Sequence, residues 1–286
     1  MDATETEHLT MFRFILNHGH AAVQAGNAEE AAKQFVAATA HAESDEEEAE
    51  AHQMAGVALR MQGRLREAKE HGLASLSLLH SGNSQEPPQT RLFLIARARR
   101  DLAETLRLEG LVMSSRGRSG ELDALYVWRE SHREFQASIM LHDEAIGSHL
   151  FETDAVVASS AVTRGMLGLL LFEMSKLSYH QLDKWGFAVE QTHDEAIRLR
   201  QEAVALIKKA RHSLHPQRHA VYEANHLIRL MRVSNFLTRL DLMDDAFDLT
   251  AKGSASPGAR KKVWIALLGG DRLASRLEIR RAQRHH

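Results

Sequence analysis

The chain contains no cysteine, which excludes disulfides, thiolate nucleophiles and the commonest structural zinc ligand. Proline is scarce: the four at 87, 88, 216 and 257 leave room for long uninterrupted helices. Aromatics make up only 6% of residues, and the abundance of Ala, Leu, Glu and Arg favours close helix packing over a sheet. The longest apolar runs, 166–172 and 263–268, fall far short of the ~20 residues a membrane span requires. Met1 to Glu5 lack the basic and apolar segments of a secretory signal, so the expected location is cytoplasmic, without membrane contact. No Gly-rich phosphate loop or nucleophile elbow occurs; Gly269-Gly270-Asp271 is too short, and no strand precedes it. These absences leave enzyme activity without support, and no cofactor is expected.

What is present is repetition. Shifted by 37 residues, Gly19, Gly26, Glu30 and Ala31 fall on Gly56, Gly63, Glu67 and Ala68. Self-similarity at this period marks a helical solenoid, in which each short unit buries its apolar face against a neighbour. With 44% apolar residues in 286, material for a core is ample.

Punctuation divides the chain into about twelve helices and no strand. The first unit reads as helices Glu7–Ala25 and Ala28–Ala42, with Asn27 and Glu30 as a capping pair. The second reads Asp45–Met61 and Leu65–His80; Ser44 caps it with Glu47, and the acidic run 45–48 lies where the helix dipole favours negative charge. Ser81–Gln89 is the clearest linker. Helices follow over about 91–113, 121–147 and 154–182, with the Ser/Gly/Arg stretch 114–120 as a flexible loop and a break near Trp185-Gly186. Thr192 with Glu195 caps a helix ending near Leu214, Pro216 opens another, and a short one covers Asp244–Ala251. Ser256-Pro257, Gly269-Gly270 and Asp271 mark a final basic hairpin. The expected domains are 1–83 with two clear repeats, 91–253 with divergent ones, and 254–286 as a basic cap.

The repeat residues resemble the tetratricopeptide (TPR) family. Gly19, Ala31, Phe35 and Ala38 match its small and aromatic slots, with Gly26 in the turn; Gly56, Gly63, Ala68 and Ser75 match in the second unit, where Gly72 replaces the aromatic. Farther on, Leu102-Ala103 with Gly110, Leu167-Gly168, and Ala203, Ile207, Ala210 and Pro216 resemble further half-repeats. The resemblance implies an all-α fold, an α-solenoid of antiparallel helix pairs whose concave face, lined by first helices, binds a peptide or protein segment. By helical phase that face carries Arg13, Leu16, Asn17, His20 and Gln24, then Glu50, Gln53, Val57, Arg60 and Met61. Where some family members clamp a C-terminal carboxylate with Lys and Asn, this chain has Leu16 and His20, with Met54 in place of the next Asn; this argues against a chaperone-tail adaptor. The competing reading of each residue is an ordinary solvent-facing position.

Two features stand outside the repeat. Residues 1–50 hold eleven acids against Arg13 and Lys33, and residues 251–286 hold nine Lys/Arg against Asp271 and Glu278. Such ends read as solvated faces, as a site of end-on homo-oligomerisation, or as a nucleic-acid contact through Arg272, Arg276 and Arg280, with Leu273 and Leu277 beside them. Eighteen histidines are also present, and His219, Glu223 and His226 share one helix face, with Glu190 and His193 at a related spacing. A transition-metal face and locally hydrogen-bonded histidines both fit; the second is preferred, and no metal is expected.

Overall fold

In a computed structural model, the structure describes residues 10–81, 87–147, 153–176, 189–214, 220–233, 275–280 and 283. Among these residues the fold is all-α, with antiparallel helix pairs arranged as in an α-solenoid and no strand. Contacts divide the chain into two units, Met1–Glu86 and Pro87–Arg284.

The first unit holds α1 (Met11–Gln24), α2 (Ala28–Thr39), α3 (Asp45–Gln62) and α4 (Leu65–His80), each packed on the next. Local signals place their ends. The Asn27 side chain accepts from the Glu30 amide at 3.1 Å, and Ser44 accepts from the Glu47 amide at 3.2 Å, as the capping patterns predict. Thr10 caps α1, so that helix begins later than the sequence implied; the stretch before Thr10 lies outside the described residues. Gly63 closes α3 at φ +88°, while the Arg64 amide reaches back to the Leu59 carbonyl at 3.0 Å.

Helix pairs nest because one helix carries glycine where the other carries bulk. A Cβ on Gly19 would lie 2.5 Å from Phe35 Cε1, so a side chain there cannot coexist with the buried ring. Burying Phe35 contributes about 2–3 kcal/mol. In the second pair Gly56 approaches α4 at the Ala68 carbonyl, His71 Cβ and the Gly72 amide, with no ring wedged against it, and the contact is looser.

The second unit holds α5 (Pro88–Ser114), α6 (Arg118–Gly147), α7 (Thr153–Met174), α8 (Val189–His212) and α9 (Ala220–Val233). Its first pair repeats the device: Gly110 faces the Trp128 indole, with Cδ1 2.5 Å from a Cβ built on it. Gly168 meets Ile207 Cγ1 at 2.6 Å in the same way, joining α7 to α8. The close approach lets α6 side chains donate to α5 carbonyls, Trp128 Nε1 to Arg107 at 3.0 Å, Ser131 to Ala103 at 2.7 Å and Ser138 to Ala96 at 2.7 Å. As the first number rises the second falls, which is the register of an antiparallel pair. α7 packs against α5, α6, α8 and α9, so its apolarity, enough by length and composition for a membrane span, matches a core helix with two-thirds of the apolar window buried.

Several expected boundaries move. α5 starts at Pro88, because proline is well tolerated in a first turn. The flexible loop expected at 114–120 is a three-residue turn, Ser115 to Gly117, with Gly117 at φ +83°. Gly120 lies inside α6, pressed against the Met113 carbonyl; composition suggested flexibility where the packing demands a missing Cβ. α7 ends at Met174, short of Leu182, and α8 begins at Val189, so Thr192 lies within the helix. The Trp185-Gly186 break, Pro216, the Asp244–Ala251 helix and the turns at 256–257 and 269–271 lie outside the described residues.

Gly110→Ala is expected to lower the unfolding free energy by about 1–3 kcal/mol through overpacking against Trp128, despite the gain in helix propensity. Gly147→Ala, where a Cβ meets nothing within 4 Å, should be neutral or slightly stabilising. Urea unfolding of the two variants checks this; equal effects would contradict it.

Candidate partner-binding surfaces

On α1 the residues Phe12, Leu16 and Gly19 form the buried stripe. One repeat later the same positions are Ala49, Gln53 and Gly56, also buried. This corrects two expected groove residues: Leu16 is 2% exposed and Gln53 5% exposed, because both occupy the core slot beside the crossing glycine. The 37-residue shift relates them directly.

The neighbouring stripe is accessible. Arg13, Asn17 and Gln24 are exposed and His20 is partly buried, its ring edge-on to Phe35 at 5.2 Å. On α3, Glu50, Met54, Val57 and Arg60 are partly buried and Met61 is exposed. Arg13 Nη1 donates to Glu50 Oε2 at 3.0 Å. The two residues differ by one repeat, so their contact sets α1 and α3 side by side with equivalent positions adjacent. The pair is solvent-screened and contributes below ~1 kcal/mol, so it marks the register more than it stabilises it. The result is two aligned stripes, Arg13/Asn17/His20/Gln24 and Glu50/Met54/Val57/Met61, one polar and one mainly apolar. Met11 and Phe14, 59% and 50% exposed, lie on another face of α1 that the repeat pattern did not single out.

A second surface, buried and ionic, crosses α5, α7 and α9. Arg107, 1% exposed, donates through Nε to Glu104 at 2.8 Å and through Nη1 to Glu173 at 2.6 Å. Glu278, on the helical segment 275–280, accepts from Arg232 Nη1 at 2.8 Å and from Arg107 Nη2 at 3.4 Å. Neighbouring carboxylates outweigh burial and hold the Arg107 guanidinium well above its ordinary range. Arg229 Nη1 donates to His226 Nδ1 at 3.2 Å; burial, with Arg232, Arg107 and Arg100 nearby, lowers Arg229 to about 10 against the pull of Glu104. Removing one member of such a network leaves a buried charge uncompensated, at a cost of about 3–5 kcal/mol. Sequence reasoning missed this seam, although Arg107 sits between Ala103 and Gly110 on the small-residue stripe of its helix.

Several of the described histidines are satisfied locally. His52 and His71 share an Nδ1–Nδ1 contact of 2.8 Å, and the His80 and His212 rings lie 2.6 and 2.7 Å from the Leu76 and Lys208 carbonyls. Among the described residues no group of three metal-ligand types gathers. Of the expected metal face, His226 is fully buried beside Arg229, while His219 and the side chains of Glu223, Glu190 and His193 lie outside the described residues. On the basic tail Arg276 and Arg280 are exposed; Arg272, Arg281 and Arg284 lie outside the description. Leu277, expected beside the basic stripe, is 41% exposed, and Ile279 packs on the core; Leu273 lies outside the described residues.

No family model matches the chain, and no curated protein is similar to it. Among solved structures it is similar to the assembly chaperone of RpL4 (Acl4), residues 1–338, at 16% identity and a TM-score of 0.42, over 96% of this chain and 99% of that one. A likeness this distant carries no assignment.

His142 is buried between Ser138 and Ser159, and burial, with Arg100 nearby, holds it at about 4 against an ordinary 6.5. The unfolded chain takes up a proton between those values that the folded chain refuses, so stability is full above pH 6.5 and falls toward pH 4. The expected loss is on the order of 3 kcal/mol, and His226, also lowered by burial, adds to the slope. Denaturant titrations from pH 7 to 4 should show it, with His142→Asn flattening the dependence; an unchanged slope would contradict the assignment.

Proposed function

We propose that this chain is a noncatalytic, cytoplasmic scaffold of the tetratricopeptide type that holds a peptide or protein segment against α1 and α3. The observation that carries the reading is the pair of aligned, accessible stripes registered by the Arg13–Glu50 contact. Asn17 and Gln24 offer amide donors and acceptors to an extended backbone, while Val57 and Met61 offer apolar contact to alternate side chains. Rigid helices hold the set before the ligand arrives, which limits the ordering cost of binding. The groove set consists of Arg13, Asn17, His20, Gln24, Glu50, Val57, Arg60 and Met61, without the buried Leu16 and Gln53.

Selection of displayed peptides on the full chain, followed by titration with the best binder, tests this. Asn17→Ala combined with Val57→Asp should weaken binding by about tenfold or more, while the thermal midpoint stays within a few degrees. Binders indifferent to these changes would remove the α1/α3 face from consideration.

A further inference from the structure

The solvent face of α6 is not uniformly polar. Leu122, Tyr126, Arg129, Arg133, Gln136 and Met140 are all exposed and follow one another at intervals of three or four residues, so they form one stripe along the helix. Leu122 is 41%, Tyr126 57% and Met140 72% exposed. Single exposed apolar residues are ordinary. A stripe of Tyr, Arg and Met that runs about 21 Å from position 126 to position 140 instead has the composition enriched at protein–protein interfaces.

The middle of the stripe borders a cavity of about 360 Å³ formed by α6, α7 and α8, and every residue that lines it is among those described. Leu171, Met174 and Leu199 give it an apolar lining, and Arg129, His132 and Arg133 line it from α6. On the α8 side Arg198 donates to Glu195 at 2.7 Å and to Glu202 at 3.1 Å, so both carboxylates of that wall already hold a cation. Burial lowers His132 more than Glu202 raises it, which keeps the ring neutral at pH 7 and able to donate or accept. Arg129 and Arg133 stand one helical turn apart, both exposed. A carboxylate set between them gains charge-assisted bonds, and an aliphatic side chain beside it reaches the apolar lining. A bare phosphate would use the arginines and leave that lining empty.

We propose that the α6 stripe and its cavity form a docking surface for an acidic segment of a protein partner, with an Asp or Glu carboxylate between Arg129 and Arg133 and a neighbouring aliphatic side chain in the cavity. Apolar residues before and after that pair cover Tyr126 and Met140. The cavity is at the small end of ligand pockets, with room for one or two side chains, so a segment that also covers the flanking stripe gains contacts that a small molecule cannot. The inference uses none of the α1/α3 residues and does not depend on that reading.

The test selects displayed random peptides on the full chain and titrates the winners as fluorescent synthetic peptides. Winners are sorted by which variant weakens them: Arg129→Glu with Arg133→Glu, or Asn17→Ala with Val57→Asp. One class should respond only to the arginine changes, by about tenfold or more, while the helical circular dichroism of that variant is unchanged. Members of this class should carry Asp or Glu beside Leu, Ile or Val, and replacing that aliphatic residue with Ala should cost about tenfold as well. Changing their acid to Lys should restore binding to the charge-reversed chain, a swap that a merely structural effect of the mutations would not produce. If no winner depends on the arginines, or if those that do lack the acidic–aliphatic pair, the proposal fails, whatever becomes of the α1/α3 groove. A labelled DNA oligonucleotide that binds through Arg129 and Arg133 when no peptide does would assign the face to phosphate and equally overturn it.

Discussion

The closest approach between paired helices governs the structure. At Gly19, Gly110 and Gly168 one helix gives up its side chain so that Phe35, Trp128 and Ile207 on another occupy the vacated volume. A helix surface without these gaps would stand farther from its neighbour, and the Trp128, Ser131 and Ser138 bonds to α5 carbonyls would not reach. Register within a pair follows from where the gap falls. Register between repeats follows from the 37-residue spacing of the gaps, visible in the alignment of Arg13 with Glu50.

The two units complete this shared device differently. The first is filled by alanines and Phe12, Leu16, Phe35 and Leu59, with its charged pairs at the surface. The second carries a polar seam through its interior, in which Arg107 and Glu173 are almost wholly withdrawn from water. Desolvating those charges costs about as much as their pairing returns, so the intact seam adds little net stability, while loss of one member is costly. The Glu278 carboxylate joins this pattern between Arg107 and Arg232.

Much of the first unit was legible in the sequence. The caps at Asn27 and Ser44 and the span of α4 follow from local chemistry that tertiary context leaves unchanged; the family resemblance supplied the slots of Gly19 and Phe35, but not that the ring packs on that glycine within the α1/α2 pair. The groove phase was less legible: a 3.6-residue period places Leu16 one step from Asn17, and only packing decides which of the two turns inward. The exact 37-residue correspondence of Leu16 with Gln53 was present in the letters, but polarity concealed that both fill one slot. The second unit hid most. A Ser/Gly-rich stretch resembles a loop whether its glycine is free or, like Gly120, wedged against a carbonyl. Arg107, Glu173, Arg232 and Glu278 are distant in sequence, and no local pattern announces that they meet.

The most direct test of the nesting account is a double-mutant cycle at Gly19 and Phe35, read by urea unfolding. Gly19→Ala should cost about 1–3 kcal/mol in the unmodified chain and almost nothing once Phe35 is Leu, since the ring atoms that exclude the Cβ are then gone. The same loss in both backgrounds would show that the glycine does not serve the helix approach, and the account would fail.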